Sequence, residues 1–513
     1  MIRRILTLLL LTNTACQVLS APTPTATPTS TPTATLTRTP TPTITATASS
    51  TPTITPSPTP TNSPTATATA TITPTASITP NAVANFVYDN WTIVDIPDNM
   101  KDGIDNPLVA FINQNDRDGI GDIRTPQPAT NVQTLYFASA SNPGARTPVL
   151  QLPAASNDQV YIARNGAGVA YFRADDSPAV SGLYILDITV GISGRVLPLT
   201  SLIQRGIFST PAWSSDGARI AVAVETGYAL DIFTISRDGA GIANLTNSGA
   251  NEFWPAWSPD GRFLLFVSDR TRCPSWIPGD PGACDSQVDT PSTGGNPFIL
   301  DVQSSEIRQL SEEWLTEPPR WINQRQIVYT SGEPAFGDPE RILWLTDVAT
   351  SQERPVRLVT GPANQINLAE TWSPDGSRVL YQDATGTTND IVMMDSGGQL
   401  IGRSTELNFP RFGVSAVWSP DGSRVALGGV NGNCPYGSRV LDREFNLVAR
   451  GTPPPSMCDP KWSPDGQQLA FTGVNPRIDG RVDVYVANNN GFGSSNITGD
   501  LRGQIKLLGW LGG

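Results

Sequence analysis

The stretch PAWSPDGRFLLFVSDR, residues 255–270, sets a turn between two apolar runs. The first run ends at Trp257. In Ser258-Pro259-Asp260-Gly261 the proline presets φ at the second turn position, Asp tolerates the third, and Gly accepts positive φ at the fourth. Such a turn joins two antiparallel strands. Nearly the same phrase returns as PAWSSDGARIAVAV from Pro211, TWSPDGSRVLY from Thr371, VWSPDGSRVALG from Val417 and KWSPDGQQLAFTG from Lys461.

Each turn is followed by strand-like runs such as ALDIFTIS (229–236) or RVDVYVAN (481–488), then by a short fourth run such as IANLTN or VRLVTG. Trp213, Trp257, Trp321, Trp372, Trp418, Trp462 and Trp510 stand 44, 64, 51, 46, 44 and 48 residues apart. A period in the forties with four strands per unit predicts an all-β propeller. The longest gap holds an insertion with Cys273 and Cys284. Trp321 leads into INQRQIVYT, which lacks Pro-Asp-Gly, and IARNGAGVAYF from Ile162 is a fainter upstream copy.

The phrase PAWSPDG, followed by FLLFVSDR or by DIFTISRDGAGIANLT, resembles the TolB-like β-propeller repeat over about residues 155–510. The resemblance implies the fold and little about function, since one fold serves many roles. The N-terminal α/β domain of TolB has no visible counterpart, so a Tol partnership is not carried over.

Two ends complete the expected ring. PLVAFIN (107–113), TLYFASA (134–140) and TPVLQLP (147–153) supply three strands, and IKLLGWLGG (505–513) supplies a fourth. With the units beginning at Ile162, Trp213, Trp257, Trp321, Trp372, Trp418 and Trp462, the expected count is eight blades, with seven or six as alternatives.

The chain opens with Arg3-Arg4, an apolar run Ile5–Leu11 and small residues, the order of a secretory signal over residues 1–20. Cleavage after Ser20 would release a secreted protein; cleavage before Cys16 would leave a lipidated cysteine. Residues 21–80 are almost wholly Thr, Pro, Ala and Ser, with Arg38 the one charge. Such a segment has no core to offset its chain entropy and is expected to be a disordered, extended stalk. The propeller domain is expected over 81–513, in an exported protein held at the surface, in the periplasm or outside the cell.

The sequence has no histidine and a net charge of −12. The first excludes the Ser-His-Asp triad, the Cys-His dyad and the usual zinc ligands. The second argues against nucleic acid as partner. Lysine occurs only at Lys101, Lys461 and Lys506, which leaves little room for Ser-Lys or Schiff-base chemistry. A glycosidase built on paired carboxylates survives as the enzymatic alternative, with Asp175, Asp176, Glu312 and Glu313 as acids to consider. Asp216, Asp260, Asp375, Asp421 and Asp465 recur once per unit and are expected to be structural, as is the recurrent Trp.

The four cysteines after Cys16 predict disulfides Cys273–Cys284 and Cys434–Cys458, each within one inter-Trp segment. NQNDRDGIGDI (113–123) places Asp116, Asp118 and Asp122 around Gly119, a candidate calcium loop. No other cofactor is expected. The expected function is a monomeric, non-catalytic scaffold for a protein, peptide or cell-envelope glycan, contacting the membrane only through lipid on Cys16. The insertions at 271–297 and 431–458 are the expected recognition loops, with Trp276 and Tyr436 as contact aromatics.

Overall fold

The structure, a computed structural model, describes residues 87–512 except 88, 102–105, 115–131, 143, 154–158, 176, 199–202, 205–206, 332–341, 357–366, 384–389, 405–408, 410–412, 431–433, 436–438, 451–454, 476–480 and 502. The signal, Cys16 and the stalk lie outside the described residues, as do Asp116, Asp118, Asp122 and Tyr436. The described residues all fall in the compact unit Ile78–Gly513.

The fold is all-β, with one helical turn at Asp98–Lys101. Its repeating element is a four-stranded antiparallel sheet whose strands follow sequence order. In one such sheet Ala212–Trp213 pairs Arg219–Glu225, which pairs Leu230–Ser236, which pairs Ile242–Asn244. The same order runs through the sheets spanning residues 252–309, 320–356 and 367–404. The sheets over 414–450 and 458–496 are joined by one parallel bridge, Gly429 to Cys458, into an eight-stranded sheet.

Burial explains why the second and third strands read as unbroken apolar runs. Phe263–Ser268 and Leu230–Ser236 are buried along nearly their whole length. Both faces of such a strand are covered by a neighbouring sheet. Ala221 and Ile232 pack on Leu264 and Phe266 of the next sheet, and Val328 and Leu345 pack on Val379 and Tyr381 of the next again. The fourth strands Ile242–Asn244 and Glu306–Gln309 are half exposed.

The two ends of the domain meet in one sheet. Gln504–Leu511 pairs antiparallel with Leu108–Gln114, from Leu108 opposite Leu511 to Gln114 opposite Gln504. Val132–Ser139 and Arg146–Pro153 complete it, which is the three-plus-one arrangement expected from the sequence. One face packs Ala110 and Phe137 on Val169 and Tyr171; the other packs Val109 and Phe111 on Val484 and Val486.

One strand was not expected. Asp89–Ile93 adds a fifth, outermost strand beside Ile192–Pro198. Arg195, 6% exposed, is held there by the Asp89 carboxylate. The strand has an alternation too weak to read, since four of its five residues are exposed.

Candidate functional site: the axial cavity and its turns

In each sheet but the closing one, antiparallel order puts the first-to-second connection at one end and the second-to-third connection at the other. At the first end sit the Trp-Ser-Pro-Asp-Gly turns. In each, the Gly N–H donates to the Ser carbonyl, at 2.9 Å for Gly217 to Ser214 and 2.8 Å for Gly376 to Ser373. Gly217, Gly261, Gly376, Gly422 and Gly466 have φ of 61°, 72°, 69°, 69° and 68°, the left-handed region that a side chain would strain.

The recurrent Asp is turned back onto its own turn. Ser419 Oγ donates to Asp421 Oδ1 at 2.5 Å, and the Ser423 N–H donates to the same oxygen at 3.0 Å. Asp216, Asp260, Asp375 and Asp465 accept from Ser214, Ser258, Ser373 and Ser463 in the same way. The Ser419 hydrogen bond, opposed by partial burial, holds the Asp421 carboxyl below its ordinary range. Burial pushes Asp375 up, but Ser373, Ser377 and Arg443 outweigh it and the net shift is downward. In the turn after Trp321, which lacks Asp, Asn323 at the proline place takes over this role: its Oδ1 accepts from the Arg325 and Gln326 N–H groups at 2.9 and 2.8 Å.

The recurrent Trp ties neighbouring sheets together. Trp213, Trp321, Trp418, Trp462 and Trp510 donate their indole N–H to Tyr161, Ala256, Thr371, Val417 and Lys461 carbonyls on the inner strand of the preceding sheet, at 2.8 to 3.3 Å. The indole N–H groups of Trp257 and Trp372 are buried without such a partner.

Between these turns lies a cavity of about 760 Å³. Pro259, Pro374, Pro420 and Pro464 line it, with Asn323 and Arg164 at the equivalent turn position of their sheets. Trp418, Trp462, Trp510 and Lys461 complete much of the wall. Among the described residues the lining holds no Asp or Glu. The size lies within the range of small-ligand sites.

The far end carries the insertions. Cys273 and Cys284 are bonded, with Cα atoms 5.8 Å apart, and Cys434 and Cys458 likewise at 5.3 Å. Trp276 corrects the sequence reading: it is 3% exposed and donates its indole N–H to Asp269 at 3.0 Å. It anchors the insertion inward and offers no contact surface. Arg272 instead lies over the Trp314 ring, 3.5 Å from its centroid. Of the acids considered for hydrolysis, Asp175 pairs with Arg173 at 3.1 Å, Asp176 is outside the described residues, and Glu312 and Glu313 offer their backbone carbonyls to Asn296.

A buried polar network escaped the sequence reading. Asp231 and Asp483 are 5% and 2% exposed. Asn244 and Thr246 donate to the first, at 2.7 and 3.5 Å; Asn496 and Thr498 donate to the second, at 2.9 and 2.8 Å. The signal was present as Asp followed thirteen residues later by Asn-x-Thr, twice. Beside Asp231, Glu252 is fully buried; burial pushes its carboxyl up to about 8, against the opposing pull of Arg270 at 2.8 Å.

The fold and cavity define a propeller-type all-β protein. No family model matches the chain. It is 26% identical over 179 residues to a protein named Protein TolB homolog from Chlorobium chlorochromatii (strain CaD3), covering 34% of each chain, so it spans about a third of the length of that curated relative. Among solved structures it is similar to an oligogalacturonate lyase in complex with manganese, with TM-score 0.39, 14% identity, and 75% and 97% of the two chains covered. It is also similar to TolB from Acinetobacter baumannii, with TM-score 0.31, 15% identity, and 67% and 83% covered.

Proposed function

We propose that this chain is an exported, eight-bladed binding propeller without chemistry of its own, carried on a Thr/Pro stalk and receiving its ligand in the cavity at the short-turn end. The eight-stranded sheet is read as two blades joined by the single Gly429–Cys458 bridge. A rigid ring that narrows to a lined cavity is preorganised, so binding there would order few side chains. The signal-like start, the stalk and the paired cysteines support export. The absence of histidine from the sequence supports a non-catalytic role. The ligand-class alternatives are protein, peptide and envelope glycan.

The cavity wall, drawn from the turns of six sheets together with Trp510 of the closing strand, carries this reading. The stalkless domain, residues 81–513, should retain ligand from an envelope extract. Pro420→Trp with Pro464→Trp, which fills the cavity mouth and leaves the turn hydrogen bonds in place, should release it. Retention by the filled variant, or hydrolysis of a polysaccharide by the pure domain, would overturn the proposal.

A further inference from the structure

The cavity is chemically uneven. Four of its turn positions hold proline, but the sheet starting at Val160 places Arg164 there. On the inner strands, the residue before the Trp is Ala212, Ala256, Thr371 or Val417 in four sheets, yet Lys461 stands before Trp462 and lines the cavity. Arg320 occupies the same position in its sheet but is paired with Glu370 and is not part of the wall. Arg164 and Lys461 flank the closing strand on both sides: Trp510 donates to the Lys461 carbonyl at 2.8 Å, and the Gly512 N–H donates to the Arg164 carbonyl at 3.0 Å.

Neither cation has a carboxylate partner among the described residues. The nearby turn acids Asp260, Asp375, Asp421 and Asp465 are each turned onto a Ser hydroxyl of their own turn, and Asp375 is also engaged by Arg443. A chain of net charge −12 thus keeps two unpaired cations in a cavity whose described wall holds no acid. Such a local reversal of sign selects the charge of what enters.

We infer that the cavity binds an amphipathic organic anion, its acidic group between Arg164 and Lys461 and its apolar part against Pro420, Pro464 and the Trp462 edge. The inference rests on the cavity being the binding site and adds the class of ligand. A charged headgroup gains from the two cations, and the proline wall offers apolar surface with no backbone donor to satisfy.

Two dyes of matching ring system separate the terms: anilinonaphthalene sulfonate, which is anionic, and phenylnaphthylamine, which is not. Fluorescence titration of the stalkless domain should give at least about tenfold tighter binding for the sulfonate. Arg164→Gln and Lys461→Gln should each weaken the sulfonate by roughly fivefold or more and leave the neutral dye unchanged. Arg164→Lys should restore part of the preference, and Arg262→Gln, outside the cavity, should change neither. Melting temperature is followed in parallel to show that the variants are folded. Equal binding of both dyes, abolished by Pro420→Trp with Pro464→Trp, would overturn the anion preference while leaving the cavity as a binding site. Binding of both dyes that survives the filled variant would overturn the cavity reading with it.

Discussion

The short-turn end and the insertion end of this molecule solve the same problem differently. At the short-turn end each connection is stabilised within five residues: Ser419 alone donates to Asp421 and accepts the Arg424 N–H at 3.0 Å. At the other end two connections are long insertions, each closed by a disulfide, and Trp276 anchors one of them inward. Local turns give a rigid rim from sequence alone, whereas long connections need tertiary partners to take one shape. The recurrent end is therefore the precise one, and it is there that the cavity lies.

The strongest way to break this comparison is to remove what makes the rim a ring. Deleting Ile505–Gly513 takes out the inner strand of the closing sheet and bares the edge of Leu108–Gln114. Loss of the cooperative unfolding transition is expected by calorimetry; an unchanged transition would contradict closure by this pairing. A smaller but still large effect is expected inside one sheet interface. Phe266 is fully buried against Phe298 and Leu264, so Phe266→Ala should lower stability by about 3–5 kcal/mol in denaturant titration. A loss under about 1 kcal/mol would mean that the sheets are not packed as described.

Reducing the two disulfides sharpens the contrast between the ends. Each closes a short loop, of sequence separation 11 or 24, and a stability loss of roughly 2–4 kcal/mol per bond is expected. Hydrogen exchange should rise around 269–296 and 429–458 and stay unchanged in the turns. Equal loosening at both ends would remove the distinction.

How much of this was legible in the sequence follows the same division. The phrase at 255–270 and its copies gave the sheets, their order and the structural role of the recurrent Asp, because a turn is encoded by neighbours in the chain. The closing sheet was readable because three strands at one end and one at the other were each apolar. Trp276 was misread because burial of an insertion depends on Asp269, which lies across a loop whose path no periodicity specifies. Arg164 was seen only as part of a fainter copy. Its meaning came from the ring, which brings it to the same cavity as Lys461, nearly 300 residues away in the chain.

Glu252 offers a gentler test of the insertion end, since the Asp269 and Arg270 that follow the second strand of its sheet also open the insertion. Its folded-state value of about 8 lies above the ordinary 4.5, so folding takes up a proton between them. The contribution to stability is fully present below 4.5 and is lost as pH rises through 8. Wild type should therefore lose stability relative to Glu252→Gln between pH 5 and 9, by more than about 1 kcal/mol. Parallel curves would mean that Arg270 keeps the carboxylate ionised.

The smallest expected change is at a single turn. Asp421→Ala removes acceptors for Ser419 and the Ser423 N–H, and about 1–2 kcal/mol of stability should go with them. Because the folded carboxyl is shifted downward, its contribution is present above the ordinary Asp range and fades as pH falls through the folded value.

The proposed ligand sits at the short-turn end. Hydrogen–deuterium exchange on the stalkless domain, with and without the ligand retained from envelope extract, tests it most directly. Protection is expected at 163–166, 258–261, 322–326, 373–377, 419–423 and 463–467, the turns that ring the cavity. Protection confined to 269–296 and 429–458, with those turns unchanged, would contradict it.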